Sequence, residues 1–162
     1  MATSINKIQS LPSLEGIRKA LKKQGKKVVF TNGCFDLIHG GHVHLFREAK
    51  KLGDVLIVAV NDDRSIRMIK GPSRPIFPLG ERLEILDAIE YIDYIVSFPD
   101  ETPLNVISAL LPDILVKGAD WKIDEVVGRK EVEEAGGKVV RVSLHKGPST
   151  SSLLQRILDT VS

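Results

Sequence analysis

Three of the chain's four histidines, His39, His42 and His44, crowd into the stretch TNGCFDLIHGGHVH. His39 and His42 enclose Gly40 and Gly41, a spacing that suits a metal, a phosphate or a plain turn. For a metal, two imidazoles and Asp36 would supply ligands, but no second cluster with zinc-like spacing follows, and the single cysteine, Cys34, lies outside such a pattern. For a phosphate, neither familiar glycine loop is present. No Lys-Ser or Lys-Thr follows a second glycine, and G-x-G-x-x-G is absent. What remains depends on the elements around the two histidines.

Short β-rich runs, KVVFTNG, DVLIVAVN, YIVSF, DILVKG and KVVRVSL, alternate with amphipathic stretches and are bounded by Gly, Pro, Asp or Asn. Leu45, Ala49 and Leu52 recur with helical spacing, as do Leu79, Leu83, Leu86 and Ile89. A first helix is expected after Ser13, stopping near Gly25, and a last one from about Ser149. This alternation predicts an α/β fold, a Rossmann-like three-layer domain with a parallel sheet of about five strands and a ligand site beyond their carboxyl ends. The first strand ends near Thr31 and a helix opens near His42. His39 and His42 therefore flank a helix N-terminus, where free N–H groups and partial positive charge favour an anion.

At 162 residues and 43% hydrophobic content the chain suits a single domain, residues 1–162, with residues 1–12 expected to be flexible. The segment from Lys70 to Pro78, with three prolines, is the other stretch expected to be poorly ordered. A net charge of +2 from 23 basic and 21 acidic residues, spread along the chain, implies no nucleic-acid partner. No apolar run approaches the ~20 residues of a membrane span, and one cysteine fits a reducing compartment. A cytoplasmic location is the expectation.

The residues GCFDLIHGGH resemble the signature G-x-F-D-x-x-H-x-G-H of the cytidylyltransferase-like nucleotidyltransferases, matching at Gly33, Phe35, Asp36, His39, Gly41 and His42. A second family signature, of the kind Ser-Thr-Thr at a late helix start, is matched by Ser149, Thr150 and Ser151, with serine last where many relatives have threonine. KGPSRPIFPLGERLEIL, FPDETPLNVISALLPDILVKGADW and GRKEVEEAGGKVVRV are similar to the adenylyltransferase domain of ADP-heptose synthesis enzymes, with Ser152 standing where an Asn is expected. The resemblance implies a stand-alone enzyme that joins D-glycero-D-manno-heptose 1-phosphate to AMP from ATP and releases pyrophosphate, for ADP-heptose and lipopolysaccharide core synthesis. It implies a sugar kinase encoded separately; Mg²⁺ is expected with the ATP, bound largely through the triphosphate, and a homodimer is the expected assembly. A cytidylyltransferase for glycerol 3-phosphate or a similar small phosphate stays open, as does a nucleotide-binding module without turnover.

In that reaction an anion attacks an anion, so positioning and electrostatic stabilisation carry the chemistry. His39 and His42 are assigned transition-state stabilisation, with Lys70 as their cationic partner. Arg74 and Arg82, on and after the proline-rich segment, are expected to help it close over the triphosphate. Thr31, Asn32, Gly33, Cys34, Phe35, Gly41 and Asn61 are expected around the nucleotide, Cys34 through its backbone and not as a nucleophile. Lys117 and Gly118 should line the same pocket, and Ser149, Thr150 and Ser151 should offer hydroxyls and N–H groups to phosphate. Asp36, Asp63, Asp120 and Trp121 are candidates for magnesium, ribose or sugar hydroxyls, Asp36 also for ordering the first loop. His44, two residues past His42, should point elsewhere.

Overall fold

Five parallel strands, β1 (Val28–Gly33), β2 (Val55–Asn61), β3 (Tyr94–Phe98), β4 (Ile114–Gly118) and β5 (Lys138–Val142), form one sheet in the order β3-β2-β1-β4-β5. The computed structural model describes residues 6–143 and 145–162. Val28 and Phe30 face one side of the sheet and Val29 the other, so both faces are apolar and each needs a cover. On one side lie α1 (Leu11–Lys23), α5 (Leu104–Leu110) and α6 (Arg129–Glu134), through Leu14, Ile107 and Val132. On the other lie α2 (Gly40–Lys50) and α4 (Leu79–Asp87), through Phe46, Ala49 and Leu86. These are the three expected layers.

The strand order sets where a ligand can sit. From central β1 the chain winds outward through β2 to β3, then crosses back to β4 and β5 on the far side of β1. The connections leaving β1 and β4 therefore diverge, opening a crevice at their carboxyl ends, next to Asn32, Gly33, Lys117 and Gly118.

Three details differ from the sequence reading. Helix α1 starts at Leu11, because the Ser10 side chain accepts the Ser13 N–H and caps it. Residues 1–5 of the expected flexible opening lie outside the described residues, while Lys7 to Gln9 run along β3, with Gln9 N–H to Ile95 O at 2.8 Å and Ile95 N–H to Lys7 O at 2.7 Å. Helix α3 (Asp63–Lys70) occupies a stretch where no helix was read, and it ends at Gly71, whose φ of 95° breaks the helix. Helix α7 (Thr150–Val161), capped by Ser149, closes the chain.

Candidate active site

A cavity of about 480 Å³ occupies the crevice and is walled by the loop after β1, the start of α2, the end of α3, the ends of β4 and β5, and the start of α7. Its centre is the His39–His42 pair. His39 is the N-cap of α2: its Nδ1 accepts the Gly41 N–H at 3.1 Å, while its own N–H donates to His42 Nδ1 at 3.2 Å. Each Nδ1 is thus an acceptor, so the neutral rings carry their proton on Nε2 and offer that N–H to a ligand. Burial pushes the His42 imidazolium down to a pKa of about 4, helped by His39 and Lys70, and burial also lowers His39. Near neutral pH both rings are uncharged donors. Their ring centroids are 3.9 Å apart and their planes are tilted by 35°.

The glycines of this loop exist for close approach. A β-carbon on Gly41 would stand 2.8 Å from His39 Cε1, and one on Gly33 would stand 3.0 Å from Phe35 Cζ. Phe35 itself, at φ 47°, is buried and meets His42 edge-on at 5.5 Å and Phe46 at 5.1 Å, so it holds the His42 ring from behind. Thr31 spends its hydroxyl on Val116 O at 3.0 Å, and Asn32 Oδ1 is buried with no hydrogen-bond partner among the described residues. Burial pushes the Cys34 thiol up, which keeps it a poor nucleophile.

Of the two readings of Asp36, the geometry fits the ordering of the first loop rather than a metal ligand. Its carboxylate is buried and accepts Arg74 Nε at 2.7 Å, Ile76 N–H at 2.8 Å and Phe77 N–H at 2.8 Å. Burial would raise its pKa, but the N–H groups of Phe77 and Ile76 and the Arg74 guanidinium outweigh that and hold it below the usual carboxylate range. With its oxygens so occupied, Asp36 has little left for Mg²⁺. The segment from Lys70 to Pro78, expected to be poorly ordered, is pinned at its middle: Arg74 is tied to Asp36 while Arg74 Nη2, also on the cavity wall, is buried without a partner among the described residues. Lys70, the last residue of α3, reaches the cavity beside it.

Arg82, Asp63 and Asn61 are also reassigned, since none of them lines the cavity. The Arg82 guanidinium is fully buried and donates to Phe77 O at 3.0 Å, Cys34 O at 2.7 Å, Asn61 O at 2.8 Å and the Asp63 carboxylate at 2.8 Å. It ties three loops together behind the site. Asp63 is its counter-ion, and Asn61 Nδ2 turns inward to Ser65 Oγ at 3.2 Å. Ser151 lies outside the cavity wall, whereas Ser149 and Thr150 are part of it.

At the β4 end, Lys117, Gly118, Asp120 and Trp121 line the cavity as expected, with Lys117 Nζ 5.2 Å from the Trp121 ring centroid. Burial lowers the Lys117 pKa to about 8. His44 is the remaining correction. It faces the cavity after all, because its Nε2 donates to Ser143 O at 3.0 Å and so turns the ring toward the β5 loop. That loop brings in His145, Gly147 and Pro148, none of which was assigned from the sequence. The available signal was position: the loop leaves a strand end two places from the switch in strand order.

A family model described as Cytidylyltransferase-like matches residues 30–154, which takes in both helix starts that wall the cavity. The chain belongs to the cytidylyltransferase-like family. Among curated relatives of the family it is similar to the bifunctional protein HldE of Geobacter sulfurreducens, 49% identical over 94% of this chain and 31% of that protein. Its likeness to HldE of Escherichia coli is 49% over 85% of this chain and 29% of that protein. The chain spans about a third of the length of these relatives. A crystal structure of the lipopolysaccharide core biosynthesis protein from Thermoplasma volcanium matches with a TM-score of 0.62 and 31% identity, covering 76% of this chain and all of that one. A pantoate-beta-alanine ligase from Francisella tularensis, complexed with beta-gamma ATP and beta-alanine, shares the fold at a TM-score of 0.60 and 19% identity over 87% of this chain and 68% of that one.

Proposed function

We propose that the chain is an adenylyltransferase that joins D-glycero-D-manno-heptose 1-phosphate to AMP from ATP, with release of pyrophosphate, in ADP-heptose and lipopolysaccharide core synthesis. The observation that carries the chemistry is the pair of neutral imidazoles whose Nδ1 atoms are engaged by backbone, leaving two Nε2–H donors at the start of α2. Likeness to the HldE proteins and to the lipopolysaccharide core biosynthesis protein supports the substrate assignment.

In this reading a phosphate oxygen of the sugar attacks the α-phosphorus, and the electron pair of the breaking bond leaves with pyrophosphate. His39 and His42 donate to the phosphoryl oxygens as charge grows on them, a role that needs preorganised N–H groups rather than a proton to give away. Lys70 and Arg74 offset the charge of the phosphates, and the N-terminal turns of α2 and α7 add their N–H groups. Trp121 and Lys117 offer a ring and a cation to base or sugar at the other end.

Magnesium fits as part of the substrate. No group of three or more His, Cys, Asp and Glu side chains able to hold a metal occurs among the described residues, and of the cavity carboxylates Asp36 is already saturated. The ion would enter on ATP, held mainly by phosphate oxygens and water, with Asp120 as the carboxylate within the cavity. Its chemistry is neutralisation of the triphosphate.

A grid of ATP, CTP and GTP against heptose 1-phosphate and glycerol 3-phosphate, read as pyrophosphate release, tests the assignment. ATP with heptose 1-phosphate should exceed every other pair. A preference for CTP with glycerol 3-phosphate would replace the adenylyltransferase reading, and no release from any pair would end the enzymatic one.

A further inference from the structure

His145 belongs to neither signature and has no part in the mechanism above, yet it stands against the first turn of α2. Its Nε2 lies 3.4 Å from where a β-carbon of Gly40 would be, and its own β-carbon lies 3.9 Å from that place on Gly41. The absence of side chains at Gly40 and Gly41 is what lets the ring come so near. A tight turn holds it there: Gly147 N–H donates to His145 O at 3.0 Å, and a β-carbon at Gly147 would meet His145 Cδ2 at 2.8 Å. Just beyond the turn, Ser149 and Thr150 open α7 on the same cavity wall.

The N-terminal turns of two helices, of 11 and 12 residues, thus converge beside one imidazole. The residues of this loop on the cavity wall, Ser143, His145, Gly147, Pro148, Ser149 and Thr150, include no carboxylate. Asp120, a cavity carboxylate without a hydrogen-bond partner among the described residues, sits instead with Trp121 after β4, where hydroxyls and a ring would be welcome. The most highly charged part of a ligand belongs at the end with two helix N-termini and no competing anion. Two further orphans, Arg74 Nη2 and Asn32 Oδ1, mark the cavity as shaped for a polar guest. His145 already acts electrostatically on the site, since its proximity adds to the lowering of the His39 pKa that burial begins.

We propose that His145 is a third imidazole of the site, donating to the β- and γ-phosphoryl oxygens that depart as pyrophosphate between the starts of α2 and α7. The identity of the anion rests on the nucleotidyltransferase reading; the existence of an anion site at His145 does not. His145 forms no covalent bond. It stabilises the electron pair that the leaving pyrophosphate takes from the α-phosphorus.

Calorimetric titration of the full chain with magnesium pyrophosphate, and separately with AMP, tests this in wild type, His145→Ala and His145→Gln. His145→Ala should weaken pyrophosphate roughly tenfold, the scale of one hydrogen bond to a charged group, and leave AMP within about twofold. His145→Gln, with an amide N–H in place of Nε2–H, should recover most of the loss, which a merely structural residue would not produce. Because the side chain is exposed, the fold should survive both changes. Equal pyrophosphate affinity in wild type and His145→Ala, equal weakening of AMP and pyrophosphate, or no pyrophosphate binding by wild type would each overturn the inference. Failure of the enzymatic reading looks different: no nucleotide pair would be turned over, while pyrophosphate binding would still depend on His145.

Discussion

In the proposed reaction the imidazoles of His39 and His42 act as neutral donors, each held from behind at Nδ1. Replacing either by Ala should cut turnover by roughly 10²-fold, the cost of one preorganised donor, with the fold retained. Pyrophosphate release in each variant checks this. The His42 shift also carries a stability signature. Its folded pKa of about 4 lies below the ordinary 6.5, so the unfolded chain binds more protons between those values. The stabilisation is therefore complete above pH 6.5 and is lost as pH falls through 4, by roughly 3 kcal/mol for a shift of this size. Denaturant midpoints at pH 7.5 and pH 5 should differ in wild type and differ less in His42→Gln. Spacing singles out these two residues but leaves metal, phosphate and turn open until the family resemblance is added. It could not distinguish Asp36 as anchor from Asp36 as metal ligand, because that depends on where Arg74 and two backbone N–H groups from a distant segment arrive.

Among the elements, the decisive contact joins the loop after β1 to the segment after α3. Asp36 receives Arg74, Ile76 and Phe77, and Arg82 clamps the same region from beneath through Phe77 O and Cys34 O. Arg74 is thereby positioned by the histidine loop itself, and any movement of the segment must carry that loop with it. Asp36→Asn leaves the Arg74 guanidinium buried beside a neutral group, with an expected loss of about 2 kcal/mol of stability. Hydrogen exchange of the Ile76 and Phe77 amides should quicken, and turnover should fall as the segment loosens. Unchanged exchange at both amides would show that the anchor does not hold the segment. Helix α3 escaped the sequence reading for a physical reason. Ile66, Met68 and Ile69 do line one side of DRSIRMIK, but eight residues make only about two turns, too few for the pattern to repeat, and Met68 and Ile69 are left exposed. The sequence singles out Arg82 as support for the loop or the phosphates, but its spacing among leucines does not show that its charge is satisfied inside by three carbonyls and Asp63.

At the scale of the molecule, the five strands were readable because each is a short apolar run with clear punctuation, and the sheet buried on both faces follows from that. The order β3-β2-β1-β4-β5 then places the site without reference to any motif. The sequence places His44 away from the cavity and leaves His145 unassigned because their approach to it depends on how the β5 loop folds back on α2, a contact between residues far apart in the chain. With Asp36 committed to Arg74, metal dependence should follow the nucleotide: chelation should abolish turnover, added Mg²⁺ should restore it, and the melting temperature of the nucleotide-free protein should not move. A fall in that melting temperature on chelation would point to a resident metal instead. The central claim is transfer of an adenylyl group to a sugar phosphate, and ³¹P nuclear magnetic resonance of the protein with MgATP and heptose 1-phosphate reads it directly. Pyrophosphate and the two coupled resonances of a nucleoside diphosphate sugar should grow together in equal amounts as both substrates disappear; the appearance of ADP with inorganic phosphate, or an unchanged spectrum, would contradict the account.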